Sequence, residues 1–342
     1  MNRVIKFILI GTLTFIIILF LVLSVNIVAK DWKYAHKSML TYQSAVNWFA
    51  YDLEVNIIKF IKKFNYNNKT GLPPVRIYIS EQNQKKLLED IPSSTKIYQE
   101  GYYFLENNLI KKIRLRHRGD NPRNWAFEKK HWRIKSSKKD LFGRHRYFNY
   151  IPYNLDRYIS GKFSKKMNLL SQDFKLVELF INDLSNGIYI ETEHLNENYL
   201  RRNKIMPVNL YKGEQILQET VIASDKDLFS NHNTWSKLAF FNKKKENDKS
   251  DLIYFLNLLR ESETNKNSLR KLFEKIDINE WANFAAYQIL TQNYHNDHIH
   301  NIRLIIDSWS GLIRPIVYDH IIGPEVYNKK LLNLEESSHG LM

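Results

Sequence analysis

The 342-residue chain contains no cysteine. It therefore has no disulfide bond, thiol nucleophile or thiolate zinc site, and its possible metal ligands are His, Asp, Glu and Asn. Acidic residues are in deficit: 36 Asp and Glu against 51 Lys and Arg give a net charge of +15. Such a surface attracts anions, including phosphates, nucleic acid and acidic lipid head groups. With 44% hydrophobic residues, the chain has enough apolar side chains for a packed core.

Charged residues are also absent from FILIGTLTFIIILFLVLSVNIVA, at positions 7–29. A run of this length crosses a bilayer as a helix, so we predict a tail over 1–6, a single transmembrane anchor over 7–29, and a juxtamembrane segment and linker over 30–72. A cleavable signal peptide is the alternative, although its apolar region is usually shorter, about 7–15 residues. The flanking positive charges are balanced and give no orientation. Because short N-terminal tails usually stay inside, we expect the following domain on the extracytoplasmic side.

The remaining chain divides by periodicity, and we find no internal repeat. Alternating hydrophobic residues predict mainly strands over 73–223, and helical spacing dominates 224–342. Asp277, three residues before Glu280, predicts a capping box at the start of one of these helices. We therefore predict an α+β fold with two lobes and a cleft between them.

A predicted β-hairpin follows the sequence HNDHIHN at 295–301. Hydrophobic residues at 302–306 and 312–318 flank the polar turn at 307–311, and Asp319 comes directly after the second strand. The hairpin therefore brings the end of the histidine-rich stretch close to Asp319.

Three polar side chains are expected to converge at the open end of this hairpin. A loop centred on the turn places Asn301 opposite Val317 and beside Asp319, at the roughly 5 Å spacing of paired strands, and Asp297 lies close by in sequence. Two carboxylates and an amide suit Mg²⁺ or Mn²⁺. They also suit phosphoryl transfer, in which one Asp activates a hydroxyl while the other Asp and the Asn hold a metal against a nucleotide. This logic resembles the catalytic-loop motif H-R-D-x-x-x-x-N of protein kinases, but the spacing from Asp297 to Asn301 is one residue shorter.

Two alternatives remain open for the same stretch. His295, His298 and His300 offer three imidazoles for zinc, and Asp319-His320 could supply a fourth ligand. The Asp and Asn residues could instead simply cap a helix and a turn.

A second polar stretch, RLRHRGDNPRNWAFEKKHWRIK, covers 114–135. A strand ends at Arg118 and Gly119, and the next strand carries Lys130, Arg133 and Lys135. A glycine at a strand end allows close approach of a phosphate, and neighbouring cations neutralise it. The stretch therefore predicts a phosphate cradle, with an ordinary solvated charged face as the alternative.

From about residue 110 to 324 the sequence resembles the CotH spore-coat kinases, which have an atypical protein-kinase-like fold. RHRGDNPRNW with KKHWRIK is similar to the family's R-x-R-G-N-S stretch and the strand after it. The other pieces that resemble the family, in its order, are DLFGRHRYFNYIPYNLDR, VELFINDLSNGIYIETEHL, LYKG, and HNDHIHN with VYD.

The resemblance implies roles for individual residues. Asp297 looks like the catalytic aspartate, and Asn301 and Asp319 look like the metal ligands. The family often has D-F-D at the last position, whereas this chain has Asp319-His320-Ile321, so the second acidic residue is missing. Lys130 is the first choice for the family's phosphate-binding lysine, with Arg133 as its substitute. Glu193 is expected at the hinge between the lobes, in a pair with that lysine, or as a buried structural residue. The residues assigned to nucleotide binding are Arg118, Gly119, Lys130, Arg133, Glu193 and Lys212.

The sequence thus predicts a bacterial, membrane-anchored kinase of the cell envelope, with a nucleotide-binding lobe over 73–223 and a helical lobe with the catalytic hairpin over 224–342. Its cofactors would be ATP and Mg²⁺ or Mn²⁺. Its partners would be the membrane and a hydroxyl acceptor, on protein Ser or Thr or on a surface glycan, and no nucleic acid is expected. A non-catalytic envelope-binding module on the same fold and a zinc-dependent hydrolase are the alternatives.

Overall fold

The structure is a computed structural model with a mixed α+β architecture. Of the predicted membrane anchor it describes residues 11–22 and 24, which are helical. Within the described parts of the chain, no helix is both long enough and apolar enough to cross a membrane. The rest of the predicted anchor, the tail and nearly all of the linker lie outside the described residues. The described residues are 11–22, 24, 70–91, 96–104, 110–119, 124, 129–143, 145–214, 227–293, 296, 298 and 301–323.

Seven strands form a closed barrel. They are β1 (Pro74–Tyr78), β2 (Gln99–Phe104), β3 (Ile110–His117), β4 (Trp132–Lys135), β5 (Tyr147–Pro152), β6 (Phe174–Ile181) and β7 (Leu184–Glu193). The order around the barrel is β1-β2-β3-β4-β5-β7-β6. Neighbouring strands are antiparallel, except that β1 and β6 are parallel and thereby close the barrel.

Four further strands form a second sheet. They are β8 (Asn209–Gly213), β9 (Trp235–Ala239), β10 (Ile302–Ile306) and β11 (Ile313–Pro315), in the order β11-β10-β8-β9. All of their pairings are antiparallel. The central strands β8 and β10 are therefore far apart in sequence but adjacent in the sheet.

Helices lie between these strands along the sequence. They are α1 (Glu81–Glu89), α2 (Leu155–Lys166), α3 (Glu197–Arg202), α4 (Ser250–Ser262), α5 (Lys266–Lys275) and α6 (Ile278–Thr291). Short 3-10 turns cover Leu228–Ser230, His232–Thr234 and Lys243–Lys245.

Each sheet has its own hydrophobic core. Inside the barrel, Ile77, Leu115, Ile134 and Val177 are fully buried. The second sheet packs against α4 and α5, and this core includes Leu252, Phe255, Leu272 and Leu304. Because alternate side chains of a strand point to opposite faces, the polar residues between the buried ones in β3 and β4 must lie on the outer face of the barrel.

The β10–β11 hairpin has the predicted position. Leu304 pairs with Pro315 and Ile306 with Ile313. Continued to the open end, this register sets Asn301 opposite Tyr318, one residue beyond the predicted partner Val317.

Two local predictions need correction. The sequence pattern also predicts a loop from Asn182 to Gly187 between two paired strands, and this prediction is wrong, because β7 begins at Leu184. Asn182 and Asp183 both have positive φ and make a two-residue turn. The predicted capping box is only half present. Asp277 accepts from the backbone N–H of Glu280 at 3.1 Å, but the Glu280 carboxylate binds Arg314 at 2.9 and 3.0 Å.

Ile134→Ala should destabilise the barrel strongly, because Ile134 is 0% exposed in its core. The expected loss in the free energy of unfolding is about 2–5 kcal/mol, measured by urea denaturation. The matched control is Leu184→Ala, at a side chain that is 63% exposed, for which a change of about 0.5 kcal/mol or less is expected. Similar losses in the two variants would contradict the assignment of the core.

Candidate functional site

Asp319 lies where three parts of the chain meet. One carboxylate oxygen is 3.1 Å from Nη1 of Arg157 on α2. The other accepts a hydrogen bond from Nδ2 of Asn301 at 3.3 Å. The predicted proximity of Asn301 and Asp319 is therefore present in the structure. Both residues have positive φ, 64° and 47°, so each stands at a sharp local bend beside the hairpin.

Backbone contacts hold the segment around Asp319. The Asn296 side chain donates to the carbonyl of Tyr318, and Asn293 donates to the carbonyl of Asp319 at 3.5 Å. Both asparagines are buried. The chain after α6 is thus tied to the chain after β11. Asp297, the predicted catalytic aspartate, lies outside the described residues.

A row of polar side chains crosses the outer face of the barrel towards this segment. Arg116 on β3 is opposite Arg133 on β4, Arg133 is opposite Asn149 on β5, and Asn149 is opposite Thr192 on β7. Directly opposed residues point to the same face. Nε of Arg133 donates to Asn149 at 2.8 Å, which fixes the guanidinium on this face. Arg118 continues the row beyond the end of β3.

Four arginines make this region strongly positive. Burial and then the charges of Arg133, Arg118, Arg303 and Arg116 lower the pKa of His194 well below its usual value. All four guanidinium groups are therefore close enough to act on the same side chain. Burial, followed by Arg118 and Arg116, also lowers the pKa of Arg133 to about 10. We call Arg116, Arg118, Arg133 and Arg303 the arginine cluster.

The arginine cluster has spare hydrogen-bond donors. The Nε atoms of Arg116, Arg118 and Arg303 are buried and have no hydrogen-bond partner within the described part of the chain. Unpaired buried donors on charged groups are costly, and an anion that accepted these hydrogen bonds would remove that cost. The cluster therefore has the charge and the donors of a phosphate-binding site.

Tyr318 joins the arginine cluster to Asp319. Its hydroxyl accepts from Nη2 of Arg118 at 3.3 Å, and the guanidinium of Arg303 lies 4.1 Å from the centre of its ring. Burial would raise the pKa of the Tyr318 hydroxyl, but the charges of Arg118 and Arg303 outweigh this effect and lower that pKa to about 8.

A buried polar chain supports the other side of Asp319. Nδ1 of His320 is 3.0 Å from the Tyr287 hydroxyl on α6, which in turn hydrogen bonds with the Ser160 hydroxyl on α2. All three side chains are at most 1% exposed. Burial and the charge of Arg157 lower the pKa of His320 to about 3, so this imidazole is neutral. The chain therefore fixes α2 and α6 against the segment that carries Asp319.

Gly119 has a steric reason for its position next to Arg118. Its φ is +104°, and a Cβ atom there would lie 2.2 Å from Nδ2 of Asn124. Any side chain at this position would displace Asn124 and strain the backbone. The described residues show a tight bend here, while the rest of the predicted cradle, 120–123 and 125–128, lies outside them.

The other predicted nucleotide-binding residues are more dispersed. Lys130 precedes β4, and its charge acts on the buried His117. Glu193 is 2% exposed and accepts hydrogen bonds from Arg202 on α3, as expected of a buried structural residue. Lys212 on β8 forms an ion pair with Glu214, and Glu214 is also 3.5 Å from Arg303.

Metal ligation can be judged from the same contacts. Asp319 and Asn301 touch, and carboxylate and amide oxygens are the ligands that Mg²⁺ and Mn²⁺ prefer. A flip of the Asn301 side-chain amide, which exchanges the positions of its oxygen and nitrogen, presents the oxygen to a cation. Among the described residues there is no group of three or more His, Asp or Glu side chains placed to share a metal. Of the predicted zinc ligands, His295 and His300 lie outside the described residues, and Nδ1 of His320 is hydrogen bonded to Tyr287.

The sequence pattern does not predict Arg157, Arg303 or Arg116 as site residues. Arg116 is in RLRHR, directly beside the predicted Arg118, and its alternation with Leu115 was an available signal. Arg157 and Arg303 reach the site only because α2 and β10 pack beside the barrel, and their local sequence gives no such signal.

Comparison with known proteins identifies the family. A family model described as CotH kinase protein matches residues 115–338. The chain belongs to the CotH family. The inner spore coat protein H of Bacillus subtilis (strain 168) is 21% identical to it over 279 residues, which are 77% of this chain and 73% of that protein. The residues matched by the family model include β4, α2 and the β10–β11 hairpin, and thus all four arginines of the arginine cluster and Asp319.

The ionisation of Tyr318 provides a test of the arginine cluster. Its phenolate absorbance, taken as wild type minus Tyr318→Phe, should titrate near pH 8, well below the usual value of 10.0. Between these two values only the folded protein is ionised at this position. The free energy of unfolding of the wild-type protein, relative to that of the Tyr318→Phe variant, should therefore increase as the pH rises from about 8 to 10. This added stability should be lost when the pH is lowered through the folded pKa.

Arg118→Gln should move this midpoint upward, because it removes a neighbouring positive charge. Lys271→Gln on α5, a charge change at an exposed position, is the control and should leave the midpoint unchanged. A midpoint near the usual tyrosine value in the wild-type protein would contradict the described cluster.

Proposed function

We propose that this CotH-family protein is an atypical kinase with a two-lobed, protein-kinase-like fold. It binds ATP together with Mg²⁺ or Mn²⁺ and transfers the γ-phosphoryl group to a hydroxyl, with protein Ser or Thr as the preferred acceptor. The proposal rests most on one observation: the arginine cluster lies beside Asp319 and Asn301. A polyphosphate requires cations along its length and a metal ligand at its reacting end, and these residues provide both.

The arginine cluster gives the nucleotide site its selectivity for anions. Arg118 and Arg133 donate to phosphate oxygens from the outer face of the barrel, and Arg303 reaches the same region from the second sheet. The guanidinium groups are held by Tyr318 and Asn149 before any ligand arrives. Such preorganised cations stabilise the charge that spreads over the transferred phosphoryl oxygens.

The residues around Asp319 orient the reacting end of the nucleotide. Asp319 and Asn301 would hold the divalent ion, which supplies charge neutralisation at the transferred phosphate when it is bound. Asp297 would accept the proton of the attacking hydroxyl and orient its oxygen towards phosphorus. Asn296, its neighbour in sequence, donates a hydrogen bond to the carbonyl of Tyr318, which directly precedes Asp319.

The predicted membrane anchor makes the envelope the proposed location, with the domain on the extracytoplasmic side. ATP is scarce there, so the orientation of the anchor and the nature of the phosphoryl donor are linked questions. A reporter fused to the C-terminus would determine the orientation. If the domain is outside and does not bind Mg-ATP, the non-catalytic binding module is the better description of the fold.

Asp297→Asn should abolish phosphoryl transfer, because Asp297 is the proposed base. Binding of Mg-ATP should be nearly unchanged, because Asp297 is not one of the predicted metal ligands. Asp319→Asn should weaken binding of Mg-ATP itself by tenfold or more, on the order of one lost metal–carboxylate contact. Transfer is measured with radiolabelled ATP, and binding by isothermal titration calorimetry of the full-length protein in detergent. Wild-type transfer activity in either variant would contradict the assigned roles.

Arg133→Gln should weaken nucleotide binding about tenfold, because a charge-assisted hydrogen bond contributes about 1.5–3 kcal/mol. Arg270→Gln on α5 is the matched control, since this arginine is exposed and distant in sequence from the site. It should bind Mg-ATP with wild-type affinity. Equal affinities for all three proteins would remove the arginine cluster from the nucleotide site.

A further inference from the structure

Arg157 holds a position that the proposed reaction does not yet explain. Its guanidinium is 3.1 Å from a carboxylate oxygen of Asp319, and the two side chains are 20% and 21% exposed. A partly buried contact of this kind is stronger than a surface ion pair, because water screens it less. Asp319 therefore already has a cation next to it, on the side opposite Asn301.

The backbone of Arg157 is firmly fixed. Arg157 is in the first turn of α2, and its backbone N–H donates to the capping side chain of Asn154 at 2.8 Å. One turn further along, Ser160 hydrogen bonds with Tyr287, which contacts His320. The same helix thus contacts the side chain of Asp319 directly and, through Tyr287, the residue that follows it, so the backbone of Arg157 is held beside Asp319.

In the described part of the chain, no group of three or more acidic and histidine side chains surrounds Asp319. Kinase sites commonly hold the phosphates with two divalent ions bound by several acidic or amide side chains. In this chain Ile321 occupies the second position after Asp319, and no larger group of acidic and histidine side chains exists in the described ranges. One carboxylate and one amide are a small ligand set for two ions, but they are enough for one ion that keeps several waters and binds phosphate.

We propose that Arg157 is a built-in cation that takes the place of a second metal ion. Without ligand its guanidinium neutralises Asp319. With the nucleotide bound, Asp319 holds a single metal ion and the guanidinium donates to phosphate oxygens. Arg157 would then contact the substrate directly. The inference rests on the proposed nucleotide site and adds its metal stoichiometry and a further substrate-binding residue.

The exchange of partners gives Arg157 two effects of opposite sign. In the absence of nucleotide, the guanidinium competes with a metal ion for Asp319, so its removal should strengthen binding of Mn²⁺ alone. In the presence of nucleotide, it contributes a charge-assisted hydrogen bond, so its removal should weaken nucleotide binding. A residue that served only to support the fold would weaken both when it was removed.

The test measures Mn²⁺ binding to the full-length protein in detergent by electron paramagnetic resonance, with and without a non-hydrolysable ATP analogue. Nucleotide affinity is measured by calorimetry. The wild-type protein should bind one Mn²⁺ per chain with the analogue. Arg157→Gln should bind Mn²⁺ alone severalfold more tightly and the analogue about tenfold more weakly. Arg157→Lys should keep the wild-type Mn²⁺ affinity and recover part of the nucleotide affinity.

The control Arg270→Gln should match wild type in both measurements. The double variant Arg157→Gln/Asp319→Asn should not show the increased Mn²⁺ affinity expected of Arg157→Gln alone. Two Mn²⁺ ions per wild-type chain, or parallel losses of both affinities in Arg157→Gln, would overturn the role of Arg157 and leave the proposed kinase function standing. If the wild-type protein binds no nucleotide with Mn²⁺, both proposals fail. The wild-type stoichiometry and the Arg157→Lys result decide the question even if Arg157→Gln does not fold.

Discussion

The alternation of side chains along β3 and β4 is the constraint on which the site depends. Leu115 and Ile134 are 0% exposed in the barrel core, so the intervening Arg116 and Arg133 must point outward. A slip of one residue in either strand would turn a guanidinium into the core and an aliphatic side chain into the site, at a cost of several kcal/mol. The hydrophobic core of the barrel thus sets where the positive charge of the site lies.

What could be predicted from the sequence follows from the range of the interactions. The β10–β11 hairpin is local, and its turn and alternation were enough to predict the contact between Asn301 and Asp319. Arg157 is different: its approach to Asp319 depends on how α2 packs between the barrel and α6, which no local pattern encodes. Glu193 shows the same limit, since this buried carboxylate binds Arg202 on the next helix, and the sequence pattern does not predict that contact.

The crowding of arginines has an energetic cost that the fold reduces only in part. Arg303 is 3% exposed and lies among other cations, with Tyr318, Glu214 and two backbone carbonyls as its neighbours. The lowered pKa of Tyr318 expresses this excess of positive charge, whereas burial first and then the charges of Arg118 and Arg116 lower the pKa of Arg133. Proteins commonly retain such a locally unfavourable arrangement where a ligand removes it. A ligand with several negative charges would do so here.

The same charges determine how a metal ion can enter. His194 and His320 have lowered pKa values and are neutral, which by itself would suit zinc. However, a free divalent cation that approaches Asp319 meets Arg157 on the carboxylate and Arg118 and Arg303 close by, and all three repel it. A metal ion already bound to a polyphosphate carries an overall negative charge and is attracted by the same groups. The electrostatics therefore favour a metal that arrives as part of an anionic complex, which is the form in which ATP binds Mg²⁺, over a permanently bound zinc ion.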